Sequence, residues 1–474
     1  MFKPVSPKLN VTLMEEGVLR FWKKHDIFHR SMSERKGGPE YVFYEGPPTA
    51  NGRPGVHHVL ARAFKDIFPR YKTMRGFHVS RRGGWDTHGL PVEIEVEKKL
   101  GFTNKQQIEA YGIEKFNELC RESAFTYIQE WEKLTERIAF WVDFETAYIT
   151  YKNEYIESLW WILRQYWDRG LIYQGYKVVP YCPRCGTPLS DHEVAQGYDE
   201  AVDPSVFVRL PLVDQPDTCL LVWTTTPWTL PGNVAVAAGA DVDYVKVEHA
   251  LPDGSLEKLI LAEALLEKVF RGEQVRVLER FKGKTLRGKR YQPLFTFMPP
   301  EKPAHRVVLG NFVTVEDGTG LVHLAPAFGA DDMAVALEED LPILMTVAED
   351  GTFKADIRPW SGKFVKDADP YITQDLQSRG LLFRAETYTH TYPFCWRCHH
   401  KLVFRMEDEW FLRSDQIRPL MKEAARQVRW IPESVGKRTQ DWYDNMGDWC
   451  VSRKRYWGLP LPFYFCPDGH LTIV

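Results

Sequence analysis

The sequence has little cysteine, no long apolar run and almost no net charge. Eight cysteines in 474 residues are too few for a scaffold held together by disulfides. The first residues contain no uninterrupted apolar stretch, and no later stretch is apolar enough to span a bilayer, so we expect a cytoplasmic protein without membrane contact. A formal net charge of -3 excludes a global basic surface, so any contact with nucleic acid must come from local patches.

The chain does contain enough apolar material for more than one core. Hydrophobic residues make up 44% of the sequence and aromatic residues 14%. A chain of this length normally divides into two or three domains. We find no internal repeat and no low-complexity linker, and therefore expect an ordered globular protein.

The amino-terminal region carries the pattern of a parallel α/β unit. Residues 41–44, YVFY, form a short β-type run, and the Gly/Pro-rich loop EGPPTANGRPG follows. Apolar residues then recur at helical spacing, at Leu60, Phe64, Ile67 and Tyr71. The next stretch, FHVSRRGGW, reads as a second strand. Strand, loop, helix and strand in this order predict a parallel sheet.

The composition changes twice further along the chain. Residues 104–169 read as mainly helical and are rich in Trp, Phe and Tyr, which we interpret as packing residues. Residues 202–382 alternate β-branched runs, such as CLLVWTTTPWTL and RVVLGNFVTV, with turns. This second composition predicts a separate β-rich domain.

Two CxxC pairs, in YCPRCG and FCWRCHH, are the strongest metal signal in the sequence. Each short knuckle offers two thiolates, so two knuckles can complete a tetrahedral Zn²⁺ site. The alternative is four unrelated buried thiols. If one ion is shared, the segment between the pairs begins and ends at one place, as an inserted domain does. The four candidate ligands are Cys182, Cys185, Cys395 and Cys398.

Seven motifs in order closely resemble the class I isoleucyl-tRNA synthetases: EGPPTANG, GGWDTHGLPVE, VPYCPRCGTPLS, WTTTPWTLPGN, LAPAFGADD, TYPFCWRC and DWCVSRKRYWG. The resemblance extends over essentially the whole chain, and valyl and leucyl enzymes differ at WDTHGLP and TTTPWTLPGN. It implies ATP-dependent activation of isoleucine to an adenylate, transfer to tRNA(Ile), and hydrolysis of mischarged valine. It also implies ATP, Mg²⁺ and Zn²⁺ at the sites, and we expect a monomer.

The resemblance further implies a Rossmann-type parallel-sheet catalytic domain, here incomplete, with an inserted β-rich editing domain and a zinc-binding knuckle. On this basis we expect residues 1–180 to form the first half of the catalytic domain and residues 404–474 to return to it. We expect a zinc-binding stalk at 181–200 and 389–403, and the editing domain at 201–388.

The family's first signature, His-x-Gly-His, aligns here with Gly55, Val56, His57 and His58, so its first and third positions are exchanged. Adjacent residues diverge by about 100° around a helix, and we expect the two rings to point apart. Our hypothesis is a working catalytic signature in which His57 and the helix N-terminus bind the phosphates of ATP. The alternatives are a paralogue with little aminoacylation activity and plain surface histidines.

Asp86, in GGWDTHGLP, is expected to bind the α-ammonium of isoleucine. The alternative for Asp86 is a helix N-cap. Pro47 is expected to shape the loop beside the pocket for the isoleucine side chain. Arg453 and Arg455, in WCVSRKR, either meet the acceptor end of tRNA or form a solvated basic strand end.

The inserted domain carries its own candidate site, because one methylene gives a binding pocket too little discrimination, as this family itself exemplifies. The hydroxyls of Thr224, Thr225 and Thr226 can hold the ribose and the attacking water. Asn233 can contact the terminal adenosine. By resemblance, Asp332 binds the ammonium of the misplaced amino acid, with Asp331 as the alternative, and His323 keeps isoleucine out.

The sequence ends at CPDGHLTIV and contains no Lys-Met-Ser-Lys-Ser motif. We therefore expect an amino-terminal portion that cannot charge tRNA efficiently but can hydrolyse valyl-tRNA weakly. Cys466 and His470 form half of a possible second metal site. Two other functions stay open, a tRNA-binding paralogue without aminoacylation activity and a stand-alone hydrolase that deacylates valyl-tRNA in trans.

Overall fold

The computed structural model describes residues 8–251 and 253–474. The chain divides into two compact units. The first unit combines the residues up to Gly170 with Arg455–Val474, and the second unit is Leu171–Lys454. Among the described residues, no helix is both long and apolar enough to cross a bilayer.

The larger segment of the first unit alternates strands and helices. Its strands are β1 (Glu40–Tyr44), β2 (His78–Trp85) and β3 (Asp143–Ile149). Its helices are α1 (Val11–Lys24), α2 (Ile27–Ser33), α3 (Val56–Met74), α4 (Leu90–Leu100), α5 (Lys105–Tyr111), α6 (Ile113–Ser123), α7 (Ile128–Arg137) and α8 (Asn153–Asp168).

The predicted parallel sheet is confirmed. Strands β1 and β2 pair in parallel, with Glu40 opposite His78 and Tyr44 opposite Arg82, and α3 connects them. Strand β3 pairs in parallel with the other edge of β2, so the order is β1-β2-β3. The segment 104–169 is mainly helical as predicted, but it also contains β3, which the sequence analysis missed. None of the residues of β3 is fully buried, so the strand lacks the apolar run that would reveal it.

Helix α3 lies where the sequence predicts it, but its periodic apolar residues do not form its buried face. Arg62, Pro69 and Thr73 are the buried positions. Arg62 donates a hydrogen bond to Thr135 and lies 4.9 Å from the ring centroid of Trp131, both on α7. Polar and cation–π contacts therefore hold this face of the helix. The periodic residues each keep more than half of their surface exposed, namely Leu60, Phe64, Ile67 and Tyr71.

The second unit is rich in strands. Its strands are β4 (Ile172–Cys182), β5 (Thr187–Pro188), β6 (Tyr198–Pro211), β7 (Thr218–Thr224), β8 (Ala235–Ala238), β9 (Asp243–Ala250), β10 (Leu256–Ala262), β11 (Val275–Lys282), β12 (Arg306–Leu309), β13 (Leu321–Leu324), β14 (Leu382–Pro393), β15 (Val403–Leu412) and β16 (Trp449–Cys450). Its helices are α9 (Asp191–Val194), α10 (Leu266–Phe270), α11 (Ala330–Glu338), α12 (Val365–Ser378), α13 (Arg418–Arg426) and α14 (Glu433–Asn445), with 3₁₀ turns at Pro227–Gly232, Glu263–Leu265 and Gly283–Leu286.

A nine-stranded mixed sheet dominates this unit and confirms the predicted β-rich region. Its main path runs β11-β9-β10-β7-β13-β8-β12, while β6 pairs with β7 and with β14. Most apolar residues of its strands are buried in one large core, among them Val206, Leu220, Val222 and Leu259. This apolar core gives the residues at the ends of the strands a rigid base.

A second, four-stranded sheet has the order β16-β15-β4-β5. Its long ladder pairs Ile172 with Leu412 at one end and Tyr181 with Val403 at the other. Because this ladder ties both flanking segments to the second unit, that unit begins at Leu171 and ends at Lys454. The predicted domain limits at 180 and 404 therefore differ from the division into compact units.

The second segment of the first unit ends in a hairpin of two strands, β17 (Phe463–Phe465) and β18 (Leu471–Ile473). Arg455, at the start of this segment, forms buried ion pairs with Glu93 and Glu97 of α4. The carboxylate of Glu93 also accepts the backbone N–H groups of Tyr456 and Trp457, at 3.0 and 2.7 Å. Two buried carboxylates on α4 therefore fix the returning chain.

Candidate functional site

The N-terminus of α3 carries the Gly-Val-His-His motif, with Gly55 as the N-cap residue. Nδ1 of His58 accepts the N–H of Gly55 at 2.9 Å, and the His58 ring packs edge-on against Trp131. The ring centroids of His57 and His58 lie 3.8 Å apart, so the expectation that these rings point apart is wrong. The rings meet because helical side chains lean toward the N-terminus and the hydrogen bond from Gly55 draws His58 back.

The two histidines differ in environment. Burial, followed by the neighbouring His57, lowers the pKa of His58. His58 is therefore uncharged at neutral pH, and because Nδ1 is an acceptor, its proton lies on Nε2. The side chain of His57 is exposed, at a helix end whose backbone N–H groups attract anions. This arrangement can bind phosphate through His57 and the helix end while His58 holds the turn.

The loops after β1 and β2 bring Pro47 and Asp86 into neighbouring segments. The carbonyl oxygen of Pro48 accepts the N–H of Asp86 at 3.0 Å, and the hydroxyl of Thr49 donates to the Asp86 carboxylate at 3.3 Å. Both loops follow parallel strands, so they meet at one edge of the sheet. The N-cap of α4 is Gly89, so the alternative role of Asp86 as a helix cap is wrong.

The four cysteines predicted to bind zinc converge, with their sulfur atoms all within 4.8 Å of one another. The sulfur of Cys398 lies 3.5 Å from those of Cys182 and Cys185. In a tetrahedral site with Zn–S bonds of about 2.3 Å, neighbouring sulfurs are about 3.8 Å apart. The N–H of Cys185 donates to the sulfur of Cys182 at 3.4 Å. Four converging thiol sulfurs at these separations fit a tetrahedral Zn²⁺ ion.

The predicted half site near the end of the chain lies in the turn between β17 and β18. The sulfur of Cys466 is 3.5 Å from Nδ1 of His470. Asp468, which the sequence analysis did not name, joins them in a group of three possible ligands. All three side chains are exposed.

The threonine-rich segment lies at one edge of the nine-stranded sheet because three strands place it there. Strands β7 and β13 run in parallel, with Trp223 opposite Val322. Strand β8 runs antiparallel to β13, with Ala235 opposite Leu324. The ends of β7 and β13 and the start of β8 therefore share this edge, with Thr225 half-buried in the loop after β7.

A chain of side-chain hydrogen bonds crosses this edge. The hydroxyl oxygens of Thr224 and Thr226 are 3.1 Å apart, and those of Thr226 and Thr229 are 3.3 Å apart. The hydroxyl of Thr229 lies 2.9 Å from Nε2 of His323. On the other side of the ring, Nδ1 lies 2.8 Å from Nδ2 of Asn233. The structure thus joins four of the predicted residues with Thr229.

Hydrogen bonds within the protein occupy both ring nitrogens of His323 and both polar atoms of the Asn233 amide. Burial lowers the pKa of His323 to about 4, so the ring is neutral at neutral pH. Asn233 is 4% exposed, and its amide also contacts the carbonyl of Ala235 and the hydroxyl of Tyr291. The predicted contact of Asn233 with an adenosine does not fit this geometry, because the polar atoms of the Asn233 side chain already have hydrogen-bond partners inside the domain.

Asp332 and Asp331 occupy different environments. The Asp332 carboxylate folds back over the start of α11 and accepts the N–H of Ala325 at 2.8 Å. A Cβ atom at Gly329 would lie 2.5 Å from the Asp332 carboxyl carbon, so this fold-back requires glycine. Burial, reinforced by the charge of Asp331, raises the pKa of Asp332 to about 6. Asp331 is exposed, so of the two carboxylates only that of Asp332 lies against the ends of these strands.

The arginines of the WCVSRKR motif form ion pairs with carboxylates of the protein itself. Arg455 is paired with buried carboxylates on α4. Arg453, in the second unit, donates to Glu193 at 2.9 Å and to two backbone carbonyls. Arg455 is therefore not a solvated strand end, whereas the role of the partly exposed Arg453 stays a prediction.

Three residues beside the threonine segment were missed from the sequence. Thr229 lies within the WTTTPWTLPGN motif, so its spacing from Thr224 was visible. Tyr291 and Asp369 lie in unremarkable segments and reach the site only through the fold. The Asp369 carboxylate accepts the N–H of Trp228 at 2.8 Å, at the start of the 3₁₀ turn that follows the threonines.

Comparison with known proteins places these features in a family. The family model described as tRNA synthetases class I (I, L, M and V) matches residues 17–473. The isoleucine–tRNA ligase of Thermus thermophilus is 51% identical over 472 residues, covering 98% of this chain and 44% of that protein. The isoleucine–tRNA ligase of Clostridium kluyveri is 47% identical over 471 residues, covering 99% of this chain and 45% of that protein.

The chain thus spans less than half the length of these curated relatives. Among solved structures, the ternary complex of Agrobacterium radiobacter K84 agnB2 LeuRS with tRNA and LeuAMS matches with a TM-score of 0.38 and 15% identity, covering 97% of this chain and 51% of that one. Because the family model matches nearly every residue, the chain belongs to the class I tRNA synthetases of the I, L, M and V group.

Proposed function

We propose that the protein to which this sequence belongs is an isoleucine–tRNA ligase that also hydrolyses mischarged valyl-tRNA(Ile). The observation that carries the proposal is the identity of 47–51% with isoleucine–tRNA ligases along 98–100% of this chain. The reaction joins isoleucine to ATP as an adenylate, releases pyrophosphate, and passes the aminoacyl group to tRNA(Ile).

The activation site is proposed at the adjoining ends of β1 and β2 and at the N-terminus of α3. Asp86 binds the α-ammonium of isoleucine, and Pro47 borders the pocket for the side chain. His57 and the end of α3 bind the phosphates of ATP, which carry Mg²⁺, and His58 keeps the turn at Gly55 in place. The proximity of the Asp86 and Pro48 backbones and the cap formed by His58 support this assignment.

The hydrolytic site is proposed at the edge formed by β7, β8 and β13. Asp332 binds the ammonium of the valyl group, and the hydroxyls of Thr224, Thr225 and Thr226 hold the terminal ribose and the attacking water. His323 is a neutral ring with both nitrogens engaged, so it borders the pocket and does not act as a general base. A rigid wall of this kind suits the exclusion of isoleucine, which is larger than valine by one methylene.

Zn²⁺ is proposed to join the two cysteine knuckles at Cys182, Cys185, Cys395 and Cys398. An ion at this point holds together segments that lie more than 200 residues apart in the chain. Its role is structural, because four thiolates leave no open coordination position.

The ligase function is tested by isoleucine-dependent exchange of pyrophosphate into ATP, measured on the protein that contains this sequence. We expect exchange with isoleucine, weaker exchange with valine and none with leucine. Absence of isoleucine-dependent exchange in a folded protein contradicts the ligase proposal.

A second candidate, a stand-alone hydrolase acting on valyl-tRNA, is favoured by one observation: all of the proposed hydrolytic residues belong to the single unit Leu171–Lys454. Hydrolysis of valyl-tRNA without any pyrophosphate exchange supports this second candidate. Both activities together support the ligase.

A further inference from the structure

We infer that Tyr291 is a positioning residue of the hydrolytic site: acting through Asn233, it holds His323 in the neutral tautomer protonated on Nε2, and so sets the direction of the threonine hydroxyls. The inference deepens the proposed function and rests on it for its kinetic consequence. The hydrogen-bond geometry on which it is built does not depend on that function.

The first step is the orientation of the Asn233 amide. Its Nδ2 atom lies 2.9 Å from the carbonyl oxygen of Ala235 and 3.4 Å from that of Leu324. Carbonyl oxygens only accept hydrogen bonds, so this side of the amide must be the NH₂ group. The Oδ1 atom then faces the hydroxyl of Tyr291, which donates to it at 2.7 Å. Tyr291 is 1% exposed and its pKa is raised by burial, so the phenol keeps its proton.

The second step is the protonation state of His323. The NH₂ group of Asn233 can only donate, so Nδ1 of His323, 2.8 Å away, must be an unprotonated acceptor. A neutral imidazole carries one proton, which must then lie on Nε2. The Nε2–H group donates to the hydroxyl oxygen of Thr229 at 2.9 Å. His323 therefore transmits the orientation of the amide to the threonine segment.

The third step is the direction of the hydroxyl groups. Because Thr229 accepts from His323, its own proton turns to the carbonyl oxygen of Thr226, at 2.9 Å. The hydroxyl of Thr226 then donates to Thr229, and that of Thr224 donates to Thr226. The protons of Thr224 and Thr226 thus both point toward Thr229. The outer lone pairs of Thr224 and Thr226 are left to accept hydrogen bonds from a ribose hydroxyl or a water, which makes that water a better nucleophile.

Tyr291→Phe tests this inference because it removes one buried hydroxyl and nothing else. Without the hydroxyl, Oδ1 of Asn233 loses this donor, and only the carbonyls of Ala235 and Leu324 still hold the amide. We therefore expect the amide to turn, and His323 to change tautomer, in a fraction of the molecules. We expect kcat for hydrolysis of valyl-tRNA(Ile) to fall roughly five- to tenfold, with KM unchanged because Tyr291 is buried beneath the site.

The matched control is Tyr244→Phe. Tyr244 is also fully buried in the second unit, and its hydroxyl accepts the N–H of Gly239 at 3.0 Å and donates to the carbonyl of Gly320. The control loses comparable hydrogen bonding and comparable stability. Its hydrogen bonds, however, are not part of the series that connects Tyr291 with the threonines. We expect kcat and KM to stay at their original values.

Nitrogen NMR of the ¹⁵N-histidine-labelled chain measures the tautomer directly, with the His323 signals assigned by their loss in His323→Gln. We expect a protonated Nε2 and an unprotonated Nδ1 in the original chain and in Tyr244→Phe, and a mixture in Tyr291→Phe. If Tyr291→Phe does not fold, Asn233→Asp replaces it: a carboxylate accepts at both oxygens, so it should draw the proton to Nδ1.

A proton on Nδ1 of His323 in the original chain overturns the inference. So does a Tyr291→Phe chain with the kcat and the tautomer of the control. If neither the original chain nor any variant hydrolyses valyl-tRNA, the proposed function fails. The NMR signals still decide the direction of the hydrogen bonds in that case.

Discussion

The two candidate sites in this chain are held in different ways. At the N-terminus of α3, an exposed His57 lies beside a His58 that is fixed by one backbone N–H. At the threonine edge, Asn233 and His323 are less than a tenth exposed, and each polar atom of their side chains has a hydrogen-bond partner. The second site is thus rigid without a ligand, whereas the first depends on a helix end.

The two sites therefore fix the positions of their side chains by different means. A buried network with every donor and acceptor satisfied resists rearrangement, because breaking one bond leaves an unpaired polar group in a low-dielectric interior. A helix terminus offers fixed N–H groups but leaves side chains free to rotate. We therefore expect the hydrolytic site to respond sharply to single-atom changes and the phosphate site to respond weakly.

Loss of the proposed zinc ion should have the largest effect, because four cysteines from distant segments of the second unit would no longer be joined. In Cys182→Ser we expect bound zinc to fall from one ion per chain to well below one, and the free energy of unfolding of this unit to drop by several kcal/mol. Metal analysis and hydrogen exchange measure the two effects. Exchange should accelerate in β4 and β5 and stay constant in α3.

Cys219→Ser is the matched control, since Cys219 lies on β7 outside the cysteine cluster. It should keep its zinc. Full zinc content in Cys182→Ser would contradict the assignment of the four cysteines.

Asp332→Asn should show how sharply the hydrolytic site depends on one charge. Without the carboxylate the ammonium of the valyl group loses a charge-assisted hydrogen bond, so we expect kcat/KM for hydrolysis of valyl-tRNA(Ile) to fall about 100-fold. Asp331→Asn is the control, because Asp331 is exposed. An equal loss in both variants would show that the ammonium is not bound by Asp332 alone.

Asp332→Asn should also stabilise the fold at neutral pH. The pKa of Asp332 is raised to about 6 in the folded chain, above its value when unfolded. The folded state therefore binds more protons between these two values, and the stability present at low pH is lost as the pH rises through about 6. We expect Asp332→Asn to gain about 3 kcal/mol at pH 7 and little at pH 4, by denaturant unfolding. A loss at pH 7 would contradict this sign.

Asp369→Asn should separate the hydrogen bond to Trp228 from the charge of the carboxylate. Burial raises the pKa of Asp369 to about 8, while the nearby Lys366 and Lys401 act to lower it and Asp203 acts to raise it. The fold thus loses stability as the pH rises toward 8, and an amide at this position does not.

Since an amide oxygen still accepts the N–H of Trp228, we expect Asp369→Asn to keep its hydrolytic activity. We also expect it to gain about 4 kcal/mol at pH 9 relative to pH 5. Asp369→Leu, which lacks the acceptor, should lose activity. Equal activity in the two variants would show that the hydrogen bond does not position the turn.

His58→Ala should give the smallest effect. It removes the acceptor for the N–H of Gly55, so the free energy of unfolding of the first unit should fall by about 1 kcal/mol. His57→Ala, one residue away and exposed, should cost less than about 0.5 kcal/mol. Calorimetric or chemical unfolding that ranks the two variants in the opposite order would show that His58 does not cap the helix.

Features that depend on local spacing were predictable from the sequence. The periodicity of residues 56–74 located α3, and the CxxC spacing located the candidate metal ligands, because each pattern lies within a short stretch of chain. The buried face of α3 was not predictable, since Arg62 is buried through its contacts with Trp131 and Thr135 on α7. Burial followed the neighbouring helix and not the apolar stripe.

Contacts between distant segments were equally hidden. Arg455 is neutralised by Glu93 and Glu97, more than 350 residues earlier, and Tyr291 reaches Asn233 across 58 residues. Neither position carries a local signal, because a tyrosine or an arginine is compatible with many environments. The threonine motif indicated the proposed hydrolytic site, whereas its supporting residues became visible only in the fold.

The most direct test of the account is hydrolysis of valyl-tRNA(Ile) by this chain at neutral pH, with isoleucyl-tRNA(Ile) measured alongside. Because the proposed site lies wholly within the second unit, we expect this chain to hydrolyse the valyl ester well above the spontaneous rate. We expect little or no hydrolysis of the isoleucyl ester. Failure of the folded, zinc-loaded chain to hydrolyse valyl-tRNA(Ile), or equal hydrolysis of the two esters, would contradict it.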